Sequence, residues 1–103
     1  MASFRVVVSK TVRKQTRAIA TWWQRNRLAA PLLFRQEFAQ AIQQLEEAPF
    51  LALLDEIERP GIRRILLAKT RYHLYFRISE GETRVEIIAV WHTSRGYLPP
   101  LGE

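Results

Sequence analysis

Residues 60–100 read PGIRRILLAKTRYHLYFRISEGETRVEIIAVWHTSRGYLPP, and this stretch decides the fold because it contains three runs of branched and aromatic residues. Ile62–Leu67 follows a Pro-Gly turn signal and predicts a strand. Tyr72–Ile78 and Arg84–Trp91 predict two more strands, joined by a hairpin turn that contains Gly81. The links are too short for a crossover, so the three strands must pair antiparallel.

The alternation of side chains assigns the faces of these strands. In the middle run one face carries Tyr72, Leu74, Phe76 and Ile78, and the other carries His73, Tyr75 and Arg77. In the last run the same alternation predicts that the inner face carries Val85, Ile87, Ala89 and Trp91.

The first half of the chain predicts a strand followed by two helices. Phe4–Val8 is β-rich, and Ser9 suits the N-cap of a helix that runs from Lys10 to about Arg27. Pro31 suits the first turn of a second amphipathic helix, which ends before Pro49. The following stretch, 50–58, predicts either a loop or an irregular turn. The short link between the helices indicates an antiparallel helical hairpin.

These elements define an α+β fold in the order β-α-α-β-β-β, with the N-terminal helical hairpin packed on a small antiparallel sheet. The helical hairpin is the cover that the sheet requires for its apolar face. A chain of 103 residues has room for one modest core, so residues 1–103 are predicted to form a single domain.

Composition narrows the class of protein. The hydrophobic fraction of 48% is typical of a globular chain, and no apolar run approaches the ~20 residues that span a bilayer. We therefore expect no membrane partner, and the N-terminal residues do not resemble a signal peptide. The sequence has no cysteine, which excludes disulfides and thiol chemistry and fits a cytoplasmic location.

Charge is distributed in blocks along the chain, with a net value of +6. Residues 1–35 hold eight basic and no acidic side chains, residues 36–58 hold six acidic and no basic ones, and residues 59–77 hold six basic and no acidic ones. Such blocks predict an electropositive surface that meets an anionic partner, either nucleic acid, a nucleoprotein or an acidic protein segment. The alternative is a basic surface that only confers solubility.

No catalytic motif is present: the sequence lacks a phosphate-binding glycine loop and a nucleophile elbow. The two histidines are not spaced as metal ligands, so we predict no metal and no cofactor. The remaining candidates are basic, imidazole and phenol side chains, namely Arg63, Arg64, His73, Tyr75, Arg77, His92, Arg95 and Tyr97. On adjacent strands Arg63 or Arg64 is expected to cluster with His73 and His92, a set able to bind phosphate and move protons. An ordinary solvated sheet face is the alternative.

Two further features lie on the first helix. Trp22 and Trp23 are adjacent and must point in different directions, so one is predicted to enter the core while the other faces a partner or the helix–sheet boundary. The stripe formed by Lys10, Arg13, Lys14 and Arg17 is interpreted as a solvated face rather than a nucleic-acid contact.

Four segments in this order resemble the ParE/RelE superfamily of bacterial toxins: the helix end AIQQL (41–45) followed by Pro49, then GIRRI (61–65), YHLYFR (72–77) and IIAVWHTSR (87–95). The resemblance covers nearly the whole chain. It implies the toxin half of a type II toxin–antitoxin pair, in a plasmid-stabilisation or stress module, with an acidic antitoxin as the cognate partner.

Two branches of the superfamily imply different targets. The ParE-like branch poisons DNA gyrase by binding, and Gly61 to Arg63 together with Val90-Trp91-His92 and Arg95 resemble its markers. The RelE-like branch cleaves messenger RNA in the ribosome; there Arg64 fits one basic position, while His73 and Thr93 replace an Arg and a basic residue.

We favour the ParE-like branch, in which the resemblance implies a toxin that is not an enzyme and that binds its target through Arg63, Arg64, His92 and Arg95. In the nuclease alternative the candidate catalytic residues of a metal-independent endoribonuclease are Arg64, His73, His92, Arg95 and Tyr97. A third alternative is a non-toxic relic or adaptor that binds only an antitoxin.

Overall fold

The computed structural model describes residues 3–51, 53–54 and 60–95. Along the chain these residues form β1 (Arg5–Val8), α1 (Lys10–Asn26), α2 (Leu33–Glu47), β2 (Leu53–Leu54), β3 (Ile62–Leu67), β4 (Tyr72–Ser79) and β5 (Arg84–His92). Short 3-10 turns lie at Pro49–Leu51 and Glu80–Glu82.

The N-terminus of α1 is capped as predicted, because the Ser9 Oγ accepts a hydrogen bond of 3.2 Å from the Val12 amide. The second helix begins two residues later than predicted. Pro31 lies in a turn closed by a bond from the Leu33 amide to the Ala30 carbonyl, and α2 starts after it without a side-chain cap. The hairpin of two helices is confirmed.

The strands form one five-stranded sheet in the order β1-β5-β4-β3-β2. Strands β2 to β5 pair antiparallel, whereas β1 pairs parallel with β5. The predicted α+β fold with a helical hairpin on a sheet is confirmed, but the sheet is mixed rather than wholly antiparallel. The chain between β1 and β5 contains both helices and strands β2 to β4, which is more than the dozen residues that parallel pairing requires. In the stretch that predicted a loop or turn, β2 pairs with β3, and residues 52 and 55–59 lie outside the described part.

The main core lies between the helices and one face of the sheet. Its buried side chains come from every layer, namely Val12, Ala20, Phe34, Ala41, Leu45, Leu67, Leu74, Phe76, Val85, Ile87 and Val90. Burial of each large aliphatic or aromatic side chain contributes roughly 1.5–3 kcal/mol relative to exposure. The inner residues of β4 therefore lie where the sequence predicts them.

A β-bulge in β5 changes the face assignment of its second half. Tyr75 is opposite Ala89 and Phe76 is opposite Ile87, so Ile88 is an extra residue without a partner in β4. Beyond the bulge Val90 enters the main core, while Ala89 joins a second cluster on the other face of the sheet. The predicted inward orientation is thus correct for Val85 and Ile87 and wrong for Ala89 and Trp91, because one inserted residue inverts a period of two.

Candidate functional site

The sheet face turned away from both helices, called here the open face, carries four of the predicted site residues, namely Arg64, His73, Tyr75 and Arg77. Arg64 is opposite Tyr75, and His73 is opposite Trp91. Opposed residues of antiparallel strands share a face, so these four side chains lie on one surface. Tyr75 is only 2% exposed and packs with Ile62 and Ala89 in the second cluster.

Arg64 and His73 flank Tyr75 on this open face. The centroids of the His73 and Tyr75 rings are 6.0 Å apart in an edge-on arrangement. The Nε of Arg64 is buried and has no hydrogen-bond partner in the described residues. A guanidinium beside an imidazole and a phenol is a set that can bind phosphate. Arg77, further along β4, is opposite Glu86.

Arg63 lies on the opposite side of the sheet from Arg64, since it is paired with Phe76. Its Nη1 donates a 3.0 Å hydrogen bond to the Phe50 carbonyl, and its guanidinium lies 5.3 Å from the centre of the Phe50 ring. Arg63 therefore holds the turn that follows α2 against β3. This contact gives Arg63 a structural role between β3 and the turn at Phe50.

His92 lies on the helix side of the sheet, not on the open face. It is opposite Tyr72, and the two rings meet edge-on at 4.8 Å. The His92 Nδ1 accepts a 3.1 Å hydrogen bond from the Ser94 amide and is 2.8 Å from the Ser94 Oγ. An amide can only donate, so Nδ1 accepts and the ring proton resides on Nε2. The expectation that His92 clusters with His73 is therefore wrong, because the bulge at Ile88 puts the two rings on opposite faces.

His92 lies at a groove between α1 and the adjoining ends of β4 and β5. The groove has a volume of about 640 Å³ and is lined by Ala18, Ile19, Trp22, Trp23, Arg27, Thr70, Tyr72, His92 and Ser94. A second hollow of about 310 Å³ shares four of these residues and adds Gln15, Val90, Trp91 and Arg95. Together they form one elongated depression, called here the α1 groove.

Arginines in the α1 groove lie over indole rings. The Arg27 guanidinium carbon is 4.8 Å from the centre of the Trp22 ring and 5.8 Å from that of Trp23. The Arg95 guanidinium carbon is 4.2 Å from the centre of the Trp91 ring. Cation–π contacts of this kind contribute about 0.5–1 kcal/mol at exposed sites. They keep each guanidinium group close to its indole ring at the margin of the groove.

Tyr72 forms part of the groove floor and is partly buried. Burial raises the pKa of the Tyr72 hydroxyl, while the Trp23 indole N–H and the positive charge of Arg95 act in the opposite direction. The Trp23 Nε1 is buried and near Tyr72, but it lacks the geometry of a hydrogen bond to any described residue. Trp23 is half-buried and packs on the main core, and Trp22 is 44% exposed. The predicted divergence of the two indoles is confirmed.

The turn that positions Tyr72 is fixed by a carboxylate from α2. Glu37 accepts hydrogen bonds from the Lys69 amide at 2.7 Å, the Thr70 amide at 2.9 Å and the Thr70 hydroxyl at 2.7 Å. Burial by itself raises the pKa of Glu37, but these bonds and the charge of Lys69 outweigh it and lower that pKa. The next residue, Arg71, has φ +68° and its carbonyl accepts from the Thr93 amide.

The predicted site residues are thus divided among three places. Arg64, His73, Tyr75 and Arg77 are on the open face, His92 and Arg95 are at the α1 groove, and Arg63 is on the other side of β3, beside Phe50. Tyr97 lies outside the described residues. Sequence reasoning missed the groove itself. Its sequence signal is the pair Trp22-Trp23 followed four residues later by Arg27, a spacing that places Arg27 beside Trp23 on a helix.

The described residues show neither a cluster of metal ligands nor a membrane-spanning helix. Within the described ranges no group of three or more His, Cys, Asp or Glu side chains is arranged to hold a metal ion. Neither described helix is long and apolar enough to cross a membrane.

Solved structures with the same fold are toxins of toxin–antitoxin pairs. The RelBE2 complex of Mycobacterium tuberculosis matches with a TM-score of 0.67 at 20% identity, over 92% of this chain and 97% of that one. A mutant of the E. coli RelE toxin in the free state matches with a TM-score of 0.64 at 18% identity, over 91% and 86%. The intact E. coli RelBE complex matches with a TM-score of 0.64 at 16% identity, over 90% and 100%.

The fold is therefore that of the RelE-like toxins. The sequence model described as "ParE toxin of type II toxin-antitoxin system, parDE" matches residues 6–97, and the chain belongs to this toxin family. A search of curated proteins finds no significant match. The resemblance inferred from residues 41–95 is confirmed at the level of the superfamily.

Proposed function

We propose that this toxin-family protein acts in the cytoplasm by binding and inhibiting DNA gyrase, and that a cognate acidic antitoxin silences it. The match to the ParE family over residues 6–97 supports this target. The net charge of +6 supports an acidic antitoxin, since complementary charge speeds association and selects partners. The candidate contacts with gyrase are Arg63, Arg64, His92 and Arg95.

The separation of the two histidines supports binding over catalysis. General acid–base catalysis needs its groups within about 2.6–3.2 Å of the protons that they transfer, or one water molecule away. His73 shares the open face with Tyr75, whereas His92 contacts Tyr72 on the helix side. One scissile phosphate cannot reach both rings across the thickness of the sheet. The full nuclease set therefore does not converge, while a binding surface does not require convergence.

A second candidate function is a ribosome-dependent mRNA endoribonuclease of the RelE type. Its support is the open face, where Arg64, Tyr75 and His73 lie side by side and could bind a phosphate without His92. The structural likeness to the RelE toxins adds to it but concerns the fold alone.

Controlled induction of this chain in bacteria, with pulse labelling of new DNA and new protein, distinguishes the two functions. Gyrase inhibition predicts that DNA synthesis stops first while translation continues. Purified protein should then block supercoiling by gyrase in vitro. If translation stops first, the nuclease function is correct and gyrase inhibition is wrong. Growth that continues unchanged would indicate the non-toxic relic or adaptor.

The variant His73→Ala separates the functions at one residue, since His73 is a candidate only for RNA cleavage. Under gyrase inhibition we expect His73→Ala to remain toxic and Arg64→Ala to lose toxicity. Under RNA cleavage both variants lose toxicity while remaining folded. Arg77→Ala is the matched control, because Arg77 is exposed on the same strand and face.

A further inference from the structure

The α1 groove is an open channel rather than an enclosed cavity. Its two hollows, of about 640 and 310 Å³, share Ala18, Ile19, Tyr72 and His92, so they run into each other along α1. Sites for single small molecules are concave and bury most of the ligand, typically in roughly 300–1,000 Å³. A continuous channel beside an amphipathic helix is instead the shape that accepts an extended or helical peptide.

The charge of the groove is of one sign. Arg27 lines the larger hollow and Arg95 lines the smaller one, and none of the described lining residues is acidic. Helix α1 adds five basic and no acidic side chains. A guanidinium that stacks on an indole keeps its N–H edge available for donation. Both arginines can therefore bind carboxylates while they remain in place over Trp22 and Trp91.

The floor of the groove is apolar and holds an unused donor. Ile19 and the rings of Tyr72 and Trp23 form the surface between the two arginines, and 44% of Trp22 is exposed beside them. The Trp23 Nε1 has no hydrogen-bond partner in the described residues. A carbonyl or carboxylate of a bound segment would accept from this donor and remove the cost of leaving it unsatisfied.

We propose that the α1 groove binds a segment of the antitoxin that carries carboxylates on either side of an apolar anchor. This inference rests on the proposed function, since it names where the acidic partner of that function binds. The carboxylates contact Arg27 and Arg95, and the apolar anchor covers Tyr72 and Trp23. The bound segment covers His92 and Arg95 and leaves Arg64 and His73 on the open face uncovered.

A single-stranded nucleic acid fits the groove less well than this peptide. Single strands bind where bases stack on accessible aromatic faces along a basic channel. Here Arg27 lies over the Trp22 ring and Arg95 lies over the Trp91 ring, so guanidinium groups already occupy those indole faces. Backbone phosphates would meet the two arginines, but a guanidinium already covers one face of each of these rings.

We expect a neighbouring gene to encode the small acidic antitoxin, and the test uses the complex obtained by co-expressing that protein with this chain. Calorimetry of the separated partners measures affinity for wild type, Arg27→Glu and Trp22→Ala. We expect each groove variant to bind at least about tenfold more weakly, a loss that corresponds to 1.4 kcal/mol. The matched control is Arg17→Glu, an exposed residue of α1 that does not line the groove, and it should bind within about twofold of wild type.

Hydrogen exchange on the wild-type complex provides a readout that does not depend on folded variants. Antitoxin binding should slow exchange most at the side of α1 formed by residues 15–27 and at residues 92–95. Wild-type affinity in both groove variants, or protection confined to the open face, would overturn the inference and leave the proposed function standing. If wild-type induction arrests nothing and no neighbouring protein binds, the proposed function fails and the inference with it.

Competition between an RNA oligonucleotide and the antitoxin tests whether the groove binds nucleic acid instead. If the oligonucleotide displaces the antitoxin from wild type but not from Arg27→Glu, the groove binds nucleic acid and the assignment to a peptide is wrong. Failure of the oligonucleotide to displace the antitoxin supports the peptide.

Discussion

The open face and the α1 groove contain the same kinds of side chain but differ in how these are arranged. On the open face Arg64 and His73 flank a buried phenol, and Tyr75 is part of a second apolar cluster. In the groove Arg27 and Arg95 are stacked on indoles around a half-buried Tyr72 and His92. The open-face residues come from strands alone, whereas the groove is lined by residues of a helix and of the sheet.

The difference shows how one extra residue sets which side chains can act together. Without the bulge at Ile88, alternation along β5 would put His92 on the open face with His73. With the bulge, His92 faces Tyr72 and α1, and Trp91 faces His73. The surface that resembles a nuclease site thus loses one histidine, and the groove gains an imidazole beside Arg95.

Removal of the β-bulge should cause the largest change, both in the free energy of unfolding and in which side chains the two surfaces carry. Deletion of Ile88 either moves Val90 out of the main core or shifts the pairing of β5 with β1 and β4. We expect a loss of more than about 3 kcal/mol in the free energy of unfolding, comparable to deletion of a large core side chain. Denaturant unfolding measures it. Ile88→Ala keeps the chain length and should cost about 1 kcal/mol; equal losses for both variants would show that the bulge is not essential.

The carboxylate that fixes the groove floor should have an intermediate effect. Glu37→Gln replaces the charged carboxylate that accepts hydrogen bonds from the Thr70 and Lys69 amides. We expect a loss of about 1–2 kcal/mol in the free energy of unfolding. Because the pKa of Glu37 is lowered in the folded state, its contribution is present above the ordinary value of 4.5 and is lost as the pH falls through the folded value.

Unfolding of wild type and Glu37→Gln at a series of pH values checks this linkage. Wild type should lose more stability than the variant as the pH falls through this range. Glu47→Gln, an exposed carboxylate at the end of the same helix, is the control. Parallel pH profiles for wild type and Glu37→Gln would contradict the assigned role.

The smallest effect concerns the phenol of the groove. Since burial raises the pKa of Tyr72, it should ionise above the ordinary value of 10.0, and its contribution to stability is present below that value and lost as the pH rises through the folded one. Ultraviolet absorbance followed as the pH rises should show a tyrosine that ionises above pH 10.0 in wild type, and this transition should be missing in Tyr72→Phe. Bound antitoxin should move the transition to a still higher pH. If the transition persists in Tyr72→Phe, it belongs to another tyrosine.

Much of the fold was predictable because it depends on local patterns. Ser9 caps α1, β3 has the predicted limits, and the inner residues of β4 are in the main core. Ile87-Ile88-Ala89-Val90 also contained a signal for the bulge, since four consecutive apolar residues do not alternate. The parallel pairing of β1 was not predictable in this way, because it depends on how the helical hairpin returns the chain to the sheet.

The sequence by itself determined the class of elements, their order, the unequal distribution of charge and the resemblance to the ParE/RelE toxins. The elements, their order and the charge distribution follow from periodicity, capping and composition, whereas the resemblance rests on the four quoted segments of residues 41–95. Only the tertiary structure decided which of the Arg, His and Trp side chains meet. The α1 groove exists because α1 packs across the ends of β4 and β5. His92 faces it because one unpaired residue in β5 inverts the faces to which the following side chains point.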